Sequence, residues 1–152
     1  QGMCSSKVLL QGVTPTTQVY LCGPIALMQL VRSLWVTKGL PPENLRFETF
    51  ASSGNFPTQK FTVHLPRFNT SIEVQKNETL LQALEKAEVQ ILSDCKKGEC
   101  GLCQVDILEY TGQIDHRDLF FSDIEKSQNN KLCACVSRIS NGSITIDTGF
   151  RE

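Results

Sequence analysis

The chain has 152 residues, enough for one domain or two small ones, with an ordinary globular composition of 40% hydrophobic and 20% charged residues. A net charge of −1 leaves no basic excess to grip nucleic acid, and no apolar run approaches the length that spans a membrane. The charge is unevenly spread: residues 1–60 carry five Lys/Arg against two Asp/Glu, whereas residues 61–152 carry ten against fourteen. An acidic second part of this kind suits docking on basic surfaces at rates that fall with salt.

No secretory signal stands at Gln1-Gly2-Met3, and seven cysteines, an odd number, argue for reduced thiols and a metal centre in the cytoplasm. Residues 1–15 have no clear period and end at the turn signal Thr14-Pro15. Thr17 to Cys22 reads as a short strand broken by Gly23-Pro24. From Pro24, a first-turn proline, apolar residues including Met28, Val31 and Trp35 recur at helical spacing. Gly39 ends this helix and Pro41-Pro42 stops it resuming; Leu45 to Phe50 then alternates as a second strand. Strand–helix–strand is one βαβ unit of a parallel sheet. One unit has too few neighbours to form a domain, so residues 1–50 read as the end of a larger α/β domain. Residues 51–60, A-S-S-G-N-F-P-T-Q-K, are small, polar and turn-rich, and read as a linker.

Phe61 to Leu65 and Ser71 to Gln75 alternate around a turn at Pro66 to Asn69, a hairpin. Thr79 and Gln82 have capping-box spacing at the head of a helix running to Val89, with Leu80, Leu81 and Leu84 as its buried stripe. A cysteine-rich loop follows, then a strand from Gln104 to Tyr110 and a polar segment containing Asp115-His116-Arg117-Asp118. A short helix near Ser122 to Lys126, the pair Cys133 and Cys135, and a last strand from Ser143 to Asp147 complete the chain. The fold expected is α+β: a β-grasp domain over 61–152, preceded by the βαβ end of a larger α/β domain.

The loop from Asp94 to Cys103 reads D-C-K-K-G-E-C-G-L-C. Cys-x4-Cys-x2-Cys with a distant fourth cysteine is the plant-type [2Fe–2S] ligand spacing. Gly98 and Gly101 permit positive φ and close approach to an inorganic core, and loop N–H groups can then point at the sulfurs of an anionic cluster. A zinc site prefers paired Cys-x2-Cys knuckles and a disulfide framework belongs to secreted chains, so spacing favours the cluster over both. Cys95, Cys100 and Cys103 are therefore expected ligands. Cys133 and Cys135 both lie at a suitable distance for the fourth.

From Phe61 onward the chain resembles a plant-type [2Fe–2S] ferredoxin domain. The C-V-S-R at 135–138 and D-H-R-D at 115–118 resemble the C-terminal domain of the phthalate dioxygenase reductase family, reductases of Rieske-type oxygenases. C-G-P at 22–24 and F-E-T-F at 47–50 are similar to the end of that family's NAD domain. The resemblance implies Cys135 as the fourth ligand, because V-S-R follows it, with Cys133 a buried, unligated neighbour. It also implies a longer protein that passes electrons from NADH through FMN and the cluster to a Rieske-type oxygenase, with this part alone lacking hydride transfer. Cys22, Gly23 and Pro24 would border the nicotinamide, and Phe50 the flavin. A stand-alone ferredoxin-like carrier and a structural metal-binding module are the rival readings. Lys96 and Lys97 are either solvated charge or a contact with the electron partner. His116 reads as a turn or surface histidine that fixes a loop, Trp35 and Met28 as core, and Cys4 as an incidental tail thiol.

Overall fold

The structure, a computed structural model, describes residues 9–48 and 54–149. The chain divides into two compact units, Gln1–Ala51 and Ser52–Glu152. In the first, β1 (Val19–Cys22) pairs in parallel with β2 (Leu45–Glu48), in register from Val19 opposite Leu45 to Cys22 opposite Glu48, and α1 (Ile25–Thr37) connects them. This is the βαβ unit that the sequence predicts, and among the described residues its sheet has two strands.

Pro24 stands at the N-cap and not inside the first turn: its ψ of 147° is extended, and its carbonyl accepts the Leu27 and Met28 N–H groups. The other end closes as a Schellman motif. Gly39, at φ +62°, donates to Val36 O, and Leu40 N–H reaches back to Trp35 O. Trp35 and Met28 are buried as expected, and the Trp35 indole N–H donates to Pro41 O at 2.9 Å.

The second unit is built on β3 (Phe61–Leu65), β4 (Thr70–Val74), β5 (Gln104–Tyr110), β7 (Lys131–Cys133) and β9 (Ser143–Asp147), which form a five-stranded sheet of order β4-β3-β9-β5-β7. The β3–β9 pairing is parallel and the remaining pairings are antiparallel. Alternate residues Phe61, Val63 and Leu65 of β3, with Ile144 and Ile146 of β9, bury one face against Leu80 and Leu84 of α2 (Leu80–Lys86). The predicted capping box is present: Gln82 N–H donates to Thr79 Oγ1 at 3.1 Å and Thr79 N–H to Gln82 Oε1 at 2.9 Å. One helix packed on a mixed sheet is the β-grasp arrangement.

Two strands escape a reading of the sequence alone. β6 (Gln113–Asp115) and β8 (Arg138–Ser140) form a separate antiparallel pair. They bracket α3 (Asp123–Gln128), whose N-cap Ser122 makes a second capping box with Glu125. Part of the segment read as linker is also bound. Asn55 N–H donates to Asp115 Oδ1 at 2.9 Å, and the Arg138 guanidinium donates to Gln59 O at 2.9 Å and Gln75 O at 2.8 Å.

Candidate iron–sulfur site

The loop between α2 and β5 has little regular structure, and two glycines give it its path. Gly98 and Gly101 lie at φ +75° and +74°, where L-residues are strained. Each is also packed against a neighbour. A Cβ on Gly98 would come within 2.7 Å of Val136 Cγ2 and 3.0 Å of the Asp118 backbone, and one on Gly101 would enter the Phe120 ring. Leu119 N–H donates to Gly98 O at 2.9 Å, which fastens the loop to the segment after β6.

Five thiols meet around this loop in two groups. Cys95 and Cys100 lie at the partly exposed edge, whereas Cys103, Cys133 and Cys135 are buried. Cys95 Sγ accepts the Lys97 N–H at 3.4 Å and the Cys100 N–H at 3.5 Å. Burial pushes the Cys95 thiol up, but the N–H groups of Lys97, Glu99 and Cys100 outweigh it and hold the thiol below its ordinary value. Inside, the Cys133 and Cys135 thiols both donate to Cys103, which pulls Cys103 far down and drives the two donors far up. The Cys135 N–H also points at the Cys103 sulfur.

The two candidates for the fourth position differ in surroundings. Cys135 receives the Gly98 N–H and feels the charge of Cys95 across the loop. Cys133, at the end of β7 opposite Gln104, is fully buried and feels the Asp118 carboxylate instead.

A diiron cluster takes two thiolates on each iron; Cys95 and Cys100 at the outer edge, and Cys103 with either Cys133 or Cys135 inside, could supply that division of donors. Backbone N–H groups aimed at sulfur, and glycines whose missing Cβ atoms leave the loop room to wrap, fit a cluster that stays anionic in both redox states.

The second layer around the thiols is polar, and nothing in the sequence reading anticipates it. Asp118 is fully buried. Its Oδ2 accepts the Phe121 N–H at 2.9 Å, its Oδ1 accepts the Ser137 hydroxyl at 3.4 Å, and Lys126 Nζ lies 3.7 Å from Oδ2. Burial pushes this carboxyl up, but the His116 imidazole, the Lys126 ammonium and the Phe121 N–H together hold it below the usual carboxylate range. Asp115 and Arg117 form a buried ion pair at 2.8 Å. His116 is not a surface residue: its side chain is 9% exposed, with Nε2 3.0 Å from Asn129 Oδ1, so it does fix a loop, from inside. A run of four polar residues reads locally as solvent-facing, and no spacing within it signals burial.

Of the remaining candidates, Cys22 and Pro24 are exposed and Gly23 partly so at the end of β1, where a Cβ added to Gly23 would lie 3.1 Å from the Leu27 side chain. Phe50 and Cys4 lie outside the described residues. Lys96 pairs with Glu85 at 3.6 Å on the surface.

Residues 63–140 match the family described as 2Fe-2S iron-sulfur cluster binding domain. The chain belongs to this family. Among its relatives, the carnitine monooxygenase reductase subunit of Acinetobacter pittii is 36% identical over 146 residues, 95% of this chain and 47% of the relative. The phthalate dioxygenase reductase of Burkholderia cepacia is 36% identical over 135 residues, 88% of this chain and 40% of the relative. A solved phthalate dioxygenase reductase, described as a modular structure for electron transfer from pyridine nucleotides to [2Fe-2S], superposes with a TM-score of 0.62 at 33% identity, covering 95% of this chain and 44% of that one. The chain thus spans less than half the length of these relatives. The expected fold, a [2Fe–2S] β-grasp domain preceded by a βαβ unit, agrees with the observed one. Among the described residues no helix is long and apolar enough to cross a membrane.

Proposed function

We propose that this chain is the electron-delivering end of a reductase, with Cys95, Cys100, Cys103 and Cys135 as the ligands of its [2Fe–2S] cluster. When bound, such a cluster takes up and releases single electrons. The chain's own residues hold it, shield it and set its surroundings. Gly98 and Gly101 let the loop close around the core, and the N–H groups of Lys97, Glu99 and Cys100 stabilise negative charge at Cys95. Cys95 and Cys100 face outward, so electrons have their shortest exit at that edge, where Lys96 and Lys97 are exposed.

In this reading residues 1–50 are the C-terminal part of an NAD-binding domain, 51–60 the linker and 61–152 the ferredoxin domain. Hydride transfer from NADH to FMN belongs to the longer protein, where Cys22, Gly23, Pro24 and Phe50 contribute to the nicotinamide and flavin sites. The acceptor is a Rieske-type oxygenase in the cytoplasm. The observation that carries the reading is the pairing of outer and inner thiols around a glycine-shaped loop. The names of the relatives, reductases of a monooxygenase and a dioxygenase, support the direction of electron flow.

The chain, purified anaerobically, is expected to contain equal iron and acid-labile sulfide, absorb in the visible, bleach with dithionite and reoxidise on mixing with a Rieske-type oxygenase. A colourless, iron-free protein with bound zinc would overturn the proposal. A reducible cluster that no such oxygenase reoxidises would overturn the assignment of partner alone.

A further inference from the structure

Asp118 is a charged group with no ligand role, fully buried against the loop that carries three of the five thiols. Its backbone packs on Gly98, whose N–H reaches Cys135 and whose carbonyl accepts the Leu119 N–H. Its carboxylate acts on the Cys133 thiol, and Ser137, two residues beyond Cys135, donates to its Oδ1. The counter-charge is just as specific. The Lys126 side chain is only 9% exposed; its Nζ donates to Asp118 O at 2.5 Å and stands 3.7 Å from Oδ2. His116 Nδ1 lies 3.8 Å from Oδ1, and Arg117 is turned away into its pair with Asp115.

A buried ion pair is a poor source of stability, because desolvating both charges offsets most of their attraction. A loop could be anchored by hydroxyls and backbone bonds alone. Placing a full negative and a full positive charge beside a redox centre does something hydroxyls cannot. In a weakly screened interior each charge acts on any electron that arrives nearby, and the two act in opposite senses.

We propose that Asp118 and Lys126 form an electrostatic pair that sets the reduction potential of the cluster, Asp118 lowering it and Lys126 raising it. This inference rests on the cluster reading above. The pair also positions the loop, but its two members are separable by sign. Removing the carboxylate leaves an uncompensated cation that favours the reduced state, and removing the ammonium leaves an uncompensated anion that disfavours it.

Potentials of the unsubstituted chain, Asp118→Asn and Lys126→Gln are to be measured by anaerobic spectroelectrochemistry, with thermal unfolding recorded on the same samples. Asp118→Asn is expected to shift the one-electron equilibrium about tenfold toward the reduced form, equivalent to about +59 mV. Lys126→Gln is expected to shift it by a similar factor the other way. Both variants lose thermal stability, so a merely structural role would move the two potentials together or leave both unchanged; either result overturns the proposal. If Asp118→Asn cannot retain a cluster, Lys126→Gln decides alone: a lower potential supports the proposal, and an unchanged or higher one overturns it. An unsubstituted chain with no reducible chromophore would overturn the electron-transfer reading and this inference with it, whereas a normal cluster with unmoved variants overturns only the role of the pair.

Discussion

The backbone N–H of Gly98 donates to the sulfur of Cys135, joining the cysteine loop to the strand connection that carries the last thiols. Cys133, two residues earlier, shares the contact with Cys103 but lies beside Asp118 instead. The hydrogen bond favours Cys135 as a ligand for a physical reason: an N–H aimed at sulfur stabilises the thiolate that an iron requires.

Cys135→Ser is accordingly expected to lose most of its visible absorbance and iron, while Cys133→Ser keeps both within a small margin of the unsubstituted chain. Iron and sulfide analysis of the two variants decides the matter. The reverse pattern would make Cys133 the ligand.

Gly98→Ala should be more damaging than Gly101→Ala. Both replacements sit at positive φ and cost about 1–2 kcal/mol in backbone strain. At Gly98 the new methyl also meets Val136 and the backbone of Asp118, which cannot swing aside, whereas at Gly101 it meets the partly exposed Phe120 ring, which can. Cluster content after reconstitution is expected to fall in the order unsubstituted, Gly101→Ala, Gly98→Ala.

Arg138 spans β8 and the segments before β3 and α2, donating to the carbonyls of Glu78, Gln59 and Gln75 and covering the Phe61 ring at 5.2 Å. Charge-assisted bonds of this kind contribute about 1.5–3 kcal/mol each, and lysine lacks the planar fork that reaches three acceptors. Arg138→Lys should therefore destabilise the second unit by about 3 kcal/mol, read as a shift of the denaturation midpoint. A shift below about 1 kcal/mol would contradict the clamp.

Glu78 gives an acid-side signature. The Lys86 ammonium, 2.5 Å from Oε1, and the Gln75 N–H, 3.2 Å from Oε2, hold its carboxyl below the ordinary glutamate value. Between that lowered value and the unfolded one of about 4.3, the unfolded chain binds the extra proton, so stability rises with pH. The contribution is complete above the unfolded value and disappears as pH falls through the folded one. Glu78→Gln should flatten this part of the stability–pH curve while leaving the slope above about pH 6 unchanged. An unaltered acid limb would show that the pairing is weak in solution.

Much of this molecule is written in short-range patterns. The alternation of Phe61, Val63 and Leu65 marks β3, the Thr79–Gln82 spacing marks the start of α2, and Cys95, Cys100 and Cys103 stand out as the proposed loop ligands because such a set depends on spacing within nine residues. Three-residue strands are different. β6 and β8 are too short to show a period, and their pairing of Ile114 with Ile139 exists only across the fold. The same holds for D-H-R-D. Composition alone places these residues in water, yet Asp115 meets Arg117, Asp118 meets Lys126, and His116 turns inward to Asn129, because the folded chain brings partners to them. Local spacing thus determined which thiols could gather around a metal centre. Tertiary packing decided which thiol Gly98 faces and which charges stand beside it, since those depend on segments distant in the chain.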